Sequence, residues 1–513
     1  MNDLLPALLR LGDPLAAHVL LSSSAIGLGT LIALPLAIWA SRSANVARIA
    51  LGFASLIQTI PALALLALFF PLLLALRSVF GEGLPTLGFL PALLALTLYA
   101  LLPILRNAVT ARANMDPGVL EAADGVGMTA WQKLRLVEAP LAAPYIMAGI
   151  RTASVWTIGA ATLATTIGQP SLGDPIFAGL QTQNWVLVLA GCIASAGLAM
   201  IADALLGLVE RGFACRKKSL IWIGLGIALA GIATAGITSR DTGGRGTVVI
   251  GAKNFSEQFI LARLIGQNLQ DAGYLVEYRE GLGSAVIHGA LTSGAIDVYV
   301  DYAGTIWANE MKLGDNLPRQ RMIDAITQWE QKSTGTLVLG DLGFENAYTF
   351  VMNGDRAQQL GVRSLTDLAP VSRNLIVGGD VEFFERPEWR AVKQAYGLNF
   401  AQIRNYTATF MYNALQSGQS DVIAAFSSDG RIAADRLTVL QDPKHALPAY
   451  DALLLITPKR AHEERFINAL KPLIGAISVE KMREANYEVD RNDNKLSPQA
   501  AAKKLAESLN TAP

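Results

Sequence analysis

Cysteine is nearly absent from this chain. Cys192 and Cys215 are the only two, and both lie in the first half. The second half therefore folds without a disulfide, whatever compartment it occupies. Charge is also scarce. Asp, Glu, Lys and Arg make up 16% of the 513 residues against 52% hydrophobic ones, and the two signs cancel. A net charge of zero gives no reason to expect nucleic acid as a partner. The phosphate-cradling pattern G-x-x-x-x-G-K-[ST] does not occur, so the chain does not hydrolyse ATP by that route. A G-x-S-x-G nucleophile turn is missing too, and no other catalytic constellation replaces it. His288 and His445 have no companion cluster of His, Cys and carboxylates. They read as surface or internally satisfied residues, not metal ligands, and no cofactor is expected.

What is abundant is apolar sequence, and it is unevenly spread. Mean hydropathy is +0.35, yet nearly every long uncharged run precedes residue 240. Segment 1–17 holds a short apolar stretch, 3–11, too short to span a bilayer. It has no basic leader or small-residue cleavage site, so no cleaved signal peptide is expected. Six runs are long enough for the ~20 residues a membrane helix needs: about 18–40, 46–76, 87–105, 141–167, 185–209 and 220–237. Pro61 and Pro71 interrupt the second. Arg42, Arg48, Arg106, Arg112, Lys133, Arg135, Arg211, Arg216, Lys217 and Lys218 fall in loops on one side, against Arg10 and Arg77 on the other. The positive-inside rule makes the first side cytoplasmic, and everything after residue 240 extracytoplasmic. Arg151 and Asp203 read as residues snorkelling near helix ends rather than as part of a route.

Residues 116–140 are the one long polar passage within the apolar half. Asp116-Pro117 opens a short helix with Glu121 early in it. Gly125 and Gly127 permit a sharp turn, and Pro140 and Pro144 open the next apolar run. Its charges exclude it from lipid, so the passage is a helix–turn–helix on the cytoplasmic face. Glu121, Ala122 and Ala123, then Gly127, Val137 and Pro140, resemble the EAA loop of ATP-binding cassette importer permeases. Ala139 stands where that family usually has leucine. The resemblance covers about 15–212 and is closest to osmoprotectant and quaternary-amine permeases. It implies a permease domain (18–212), a coupling loop that docks a separate ATPase subunit, and a homodimer in the bilayer.

Segment 213–246 holds the last span and a flexible linker, SRDTGGRG (239–246). Beyond it, strand and helix patterns alternate. TVVIGAKN, LVEYREG and DVYVDYAGT read as strands. FSEQFILARLIGQNLQDAG and SAVIHGALTSG read as helices. A second α/β set starts near AYTFVMN (347–353) and includes NLIVGGD, NFAQIRNY, DVIAAFSSDG and LTVLQD. DALLLITP (451–458) returns to the first set. This predicts mostly parallel sheets with ligand-binding loops at the strand ends.

GAKNFSEQ, DVYVDYAGT, EFFERPE, SSDGR and LPAYDA occur in the order seen in substrate-binding proteins of glycine betaine, choline and related quaternary-amine uptake systems, which this half resembles. The resemblance implies a type II periplasmic-binding-protein fold, with lobe 1 at about 247–346 and 452–513 and lobe 2 at 347–451. A quaternary ammonium has no N–H, so its recognition falls to aromatic faces, while a carboxylate needs donors or a basic group. The matched motifs imply Tyr302, Tyr348 and Phe426 as cage walls, with Tyr406 as a further candidate. Thr305 and Arg386 would hold a carboxylate, helped by Lys253, Gln258 and Ser284. The family often has tyrosine and threonine where Phe426 and Ala303 stand. Phe255, Phe259 and Tyr299 read as core. The whole chain then reads as a permease fused to its own receptor, taking up glycine betaine, choline, carnitine or ergothioneine. A membrane-anchored sensor for the same ligands is the alternative, and an ATPase docking loop argues against it.

Overall fold

A computed structural model of the chain describes residues 4–81, 84–182, 184–238, 247–314, 317–491 and 493–510. The expected linker, 239–246, lies outside the described residues. The chain divides into two compact units, Met1–Phe177 with Val186–Thr242, and Gly243–Pro513 with the short segment Ala178–Trp185.

The first unit is helical. Among the described residues, five helices are long and apolar enough to cross a membrane: Gly12–Ala40, Ala62–Phe80, Phe89–Ala113, Trp185–Ala214 and Lys218–Ile237. Large apolar side chains such as Leu31, Met200 and Trp222 face outward from them, as a lipid solvent requires. The expected second run, 46–76, is two helices, Ala44–Thr59 and Ala62–Phe80. Pro61 drives the break, because the residue before a proline is pushed out of the helical region, and Ile60 is extended. The expected fourth run, 141–167, is the helix Ala139–Ala161 followed by a 3₁₀ turn. It is not among the five, since Arg151 interrupts its apolar character.

Two helix breaks satisfy each other. Pro103 cannot donate to Tyr99 O, four residues back, and Gln58 Nε2 donates there instead at 3.4 Å. The Tyr99 hydroxyl in turn donates to Ile60 O at 2.5 Å, beside the Pro61 break. Arg151 and Asp203 correct the reading of isolated, snorkelling residues. Arg151 Nε and Nη2 donate to both Asp203 carboxylate oxygens at 2.9 and 2.8 Å, and Nη1 donates to Glu210 at 2.6 Å. This triad ties Ala139–Ala161 to Trp185–Ala214.

Phe89–Ala113 is the central helix, and small residues let its neighbours approach it. A Cβ on Gly149 would lie 2.8 Å from Pro103 O and 3.2 Å from Ile104 Cα. Backbone cannot swing aside. Gly149→Val is therefore expected to force the two helices apart and destabilise the unit by about 1–3 kcal/mol. A lower melting temperature of the detergent-purified protein checks this; an unchanged one would show that the helices slide without cost.

The polar passage forms Pro117–Gly125, capped by the Asp116 side chain, and a second helix starting at Ala130 behind a Thr129–Gln132 capping box. Gly127 has φ +75°; Gly125 is simply the last helical residue. Pro140 and Pro144, which open the apolar run, lie within a continuous helix. The second helix runs without interruption from Ala130 through a π-turn, Leu134–Glu138, into Ala139–Ala161. The wider π-turn accommodates Pro140, which would clash with an α-helical carbonyl four residues back.

The second unit holds two five-stranded sheets. The strands are β1 (Thr247–Lys253), β2 (Leu275–Leu282), β3 (Val298–Tyr302), β4 (Leu337–Glu345), β5 (Tyr348–Asn353), β6 (Ile376–Gly379), β7 (Gln402–Asn405), β8 (Val422–Phe426), β9 (Leu437–Val439) and β10 (Asp451–Ile456). One sheet has the order β2-β1-β3-β10-β4, the other β7-β6-β8-β5-β9. In each, four strands run the same way and one, β10 or β5, runs against them between two of the four, so the sheets are mostly parallel in direction with one reversed strand each. The chain passes between sheets twice, at 346–347 and at 440–450. Strand β4 was not expected from the sequence.

Candidate functional site

The loops that leave the carboxyl ends of the parallel strands converge on one cleft of about 450 Å³ between the two sheets. Lys253 ends β1, with Asn254 and Phe255 just past it. Ser284 follows β2, and Tyr302 ends β3. From the other lobe, Asp380 and Glu382 follow β6, Asn405 ends β7 with Tyr406 just past it, and Phe426 ends β8. Tyr450 immediately precedes β10. Ligands collect at such strand ends because the sheet's strand order reverses there and leaves a crevice.

The cleft wall is aromatic. Tyr348 and Phe426 are brought together as a directly opposed pair of antiparallel strands, their ring centroids 5.0 Å apart. Tyr450 meets Tyr348 edge-on at 5.6 Å. Phe255 lies parallel to Phe426 at 6.3 Å and 6.1 Å from Tyr302. These five rings form one continuous surface. Tyr406 lines the cleft half-buried, separately from it. Phe255, expected as core, is thus a cleft residue; Phe259 and Tyr299 are buried.

One guanidinium sits against this wall. Arg386 is 5% exposed. Its Nη1 donates to the Tyr450 hydroxyl at 3.1 Å, and Nη2 to Thr305 Oγ1 at 3.3 Å and Glu382 Oε1 at 2.5 Å. Its Nε has no partner among the described residues. Burial alone would lower its pKa, but Tyr348, Tyr450, Glu382 and Glu388 outweigh burial and raise it. It remains a fixed cation. Glu382 reaches from the second lobe to Ser284 and Asn309 of the first, at 3.3 and 3.5 Å.

Beneath the wall lies a buried polar layer. Glu257 accepts from Tyr302 Oη at 2.5 Å, Asn346 Nδ2 at 3.1 Å and Asn486 Nδ2 at 2.8 Å. Its pKa is raised because burial outweighs these bonds. Gln258 does not line the cleft. It donates to Val300 O and Tyr302 Oη at 3.1 and 3.0 Å, and so orients Tyr302 from behind. Lys253 lines the cleft, but its ammonium pairs with buried Asp301 at 2.5 Å, so its charge is largely committed. His288 is satisfied by Glu330 at 2.7 Å. Among the described residues no group of His, Cys or carboxylates could hold a metal.

The structure therefore brings together Tyr302, Thr305, Tyr348, Arg386, Tyr406, Phe426, Lys253 and Ser284, and leaves Gln258 behind them. It adds Phe255, Tyr450, Asp380, Glu382 and Asn346. Tyr450 lies within LPAYDA, a motif signal that could have found it. In the other unit, Glu121, Ala122 and Pro140 are exposed and Ala123 is buried; Val126 and Trp131 are exposed beside them.

Residues 246–508 match the family described as the substrate binding domain of ABC-type glycine betaine transport systems. Residues 25–214 match the binding-protein-dependent transport system inner membrane component. The chain is similar to the ergothioneine transport permease/ergothioneine binding protein EgtU of Helicobacter pylori (strain G27), 31% identical over 88% of this chain and 82% of that protein. Its first part is similar to the glycine betaine/carnitine/choline transport system permease protein OpuCB of Bacillus subtilis (strain 168), 42% identical over 38% of this chain and 84% of that one. A solved glycine betaine/carnitine/choline ABC transporter structure covers 51% of this chain and 98% of its own, at 28% identity and TM-score 0.45.

Proposed function

The chain belongs to the quaternary-amine family of ATP-binding cassette importers, as a permease fused to its substrate-binding domain, and from that premise we propose how its parts divide the work. The cleft takes a trimethylammonium compound with a carboxylate: its cation against Tyr302, Tyr348, Phe426, Phe255 and Tyr450, its carboxylate on Arg386 and Thr305. The observation that carries this is the five-ring wall with one buried guanidinium set against it. The relatives named for glycine betaine, carnitine, choline and ergothioneine support the same class.

Two copies pair in a cell (inner) membrane, each docking a separate ATPase subunit through Glu121, Ala122, Ala123, Gly127 and Pro140. Exposure of Val126 and Trp131 on an otherwise polar passage supports a docking surface there. The cytoplasmic side is assigned by Arg42, Arg106, Arg112, Lys133, Arg216, Lys217 and Lys218. They fall on one side if Ala44–Thr59 and Ala62–Phe80 count as one passage and Ala139–Ala161 crosses. The binding domain is then extracytoplasmic. Tethering keeps the receptor at high effective concentration by its permease.

Titration calorimetry on the full-length protein in nanodiscs, with glycine betaine, choline, carnitine and ergothioneine, tests the site. At least one compound should bind, and Tyr348→Ala should weaken it at least about tenfold, since a desolvated cation–π contact is worth about 2 kcal/mol. Binding to none would reject the quaternary-amine reading. Absence of ATP-dependent uptake in proteoliposomes containing the cognate ATPase would reject the importer reading.

A further inference from the structure

Glu257 is a buried acid to which the cation and carboxylate contacts of the cleft give no role. It stands in the first turn of the helix Ser256–Asp271, just past Phe255 of the aromatic wall, and is 3% exposed. Tyr302 Oη accepts from Gln258 at 3.0 Å, so its own proton goes to Glu257, 2.5 Å away. Asn486 Nδ2 lies 2.8 Å from Glu257 and 3.0 Å from Ser428 O, both acceptors, which fixes that amide with its donor toward the acid. Asn346 Nδ2 donates at 3.1 Å. Every one of these bonds runs toward Glu257. A protonated carboxyl would need an acceptor of its own, so the arrangement fits the ionised form.

The donors are all neutral. The cations of the surroundings are paired elsewhere: Lys253 with Asp301 at 2.5 Å, Arg431 with Asp429 at 2.6 Å and Arg386 with Glu382 at 2.5 Å. A buried carboxylate with no counter-charge is costly. Tyr302 stands between Glu257 and the cleft, with its hydroxyl on the acid and its ring in the wall beside Phe255. A hydrogen bond to a carboxylate polarises the phenol. A cation against the ring is then attracted both by the ring and by the charge behind it, in surroundings that screen little.

We propose that Glu257 is the counter-charge for the cation of the cleft, a positioning residue that holds Tyr302 and through it favours a cationic head group over a neutral one of the same shape. This rests on the quaternary-amine reading of the same cleft and adds the source of its discrimination by charge. The rings alone would also take a tert-butyl group, by apolar burial.

The test uses the full-length protein in nanodiscs. Glycine betaine, choline, carnitine and ergothioneine are the cationic probes. Tert-butylacetate and tert-butylethanol, in which carbon replaces the nitrogen of glycine betaine and choline, have neutral head groups. Glu257→Gln should weaken every cationic probe that the wild type binds by about tenfold or more, and change the tert-butyl analogues less than about threefold. A second measurement does not depend on the variant's folding. Burial raises the pKa of Glu257, and protonation removes the counter-charge, so wild-type affinity for the cations should fall as pH drops from about 8 to about 5. Glu257→Gln should stay level over that range. Tyr302, Asp429, Arg431 and Asp490 face Glu257 from the neighbouring elements, and Asp380 lines the cleft. A pH dependence that survives in Glu257→Gln belongs to one of these and would overturn the proposal. Equal weakening of cations and tert-butyl analogues would overturn it too, making Glu257 a structural prop of Tyr302. A cation bound equally well by wild type and Glu257→Gln would overturn it and leave the quaternary-amine reading standing. Binding of none of the four cations would overturn both.

Discussion

Replacing Arg386 with methionine is expected to weaken binding of every carboxylate-bearing betaine at least about tenfold and to lower the protein's melting temperature by roughly 6 °C or more. The two effects have separate causes. Arg386 is the one deeply buried cation of the cleft not already committed to a buried carboxylate at hydrogen-bond distance, so a ligand carboxylate loses its charged donor with it. A charge-assisted pair of this kind contributes about 1.5–3 kcal/mol, or about 10- to 150-fold in affinity. The stability loss comes from the other side of the guanidinium. Glu388, 5% exposed, lies 3.6 Å from Nη1 and accepts from the Tyr450 hydroxyl. Without Arg386 that carboxylate is buried with its charge uncompensated, which costs about 3–5 kcal/mol. Glu382 contributes little to the balance, because its side chain is 44% exposed and solvent screens the pair. Arg386→Lys separates the effects. A lysine keeps the charge near Glu388 but lacks the planar fork that reaches Thr305, Tyr450 and a ligand together. It should recover much of the melting temperature and little of the binding. If Arg386→Met binds betaine at wild-type affinity, the carboxylate sits elsewhere in the cleft.

Much of the second unit was legible because strand and helix periods alternate cleanly. Of the strands that carry a cleft residue at or just past the end, all but one were visible in the sequence. Strand β4 was not. Its run LVLGDLGFE is broken by Gly340 and Gly343, which adopt φ +155° and +103°, and its pairing with β10 shifts register twice. Such a strand has little alternation to see. In the cleft, the tyrosines at strand ends were found through matched motifs. Phe255 was missed because it begins an apolar helical pattern and so resembles core. It is in fact the extended residue capping that helix, outside its periodicity. Gln258 went the other way: one turn into the helix it points at Tyr302 from beneath. Arg151 and Asp203 gave no sign of each other, since a lone polar residue in an apolar helix does not reveal which neighbour faces it.

Gly127→Val should reduce ATP-dependent uptake about a hundredfold or more and leave ligand affinity within about twofold, on the reading that residues 116–140 dock the ATPase. The turn needs this glycine. The space around it is open, but φ is +75°, and a β-branched residue in that left-handed region is strained against its own backbone by about 1–3 kcal/mol. The turn is also tightly specified: Gly127 N–H donates to Asp124 O at 3.0 Å, Met128 N–H to Ala123 O at 3.1 Å, and Lys133 pairs with Asp124 at 2.6 Å across the two short helices. Relaxing the turn would reorient Glu121 and Trp131 together. It would also act on the membrane, because the helix begun at Ala130 is continuous with Ala139–Ala161, and Arg151 on that helix grips Asp203 and Glu210 of Trp185–Ala214. A push at the turn therefore reaches two apolar helices through one rigid rod and one three-residue ion cluster. Gly127→Asn is the discriminating control. Asparagine tolerates the left-handed region, so it should retain a substantial part of the uptake that valine loses. Equal loss in both variants would mean that the lack of a side chain, not the turn's geometry, is what the partner reads. Normal uptake with valine would mean that this turn does not carry the coupling.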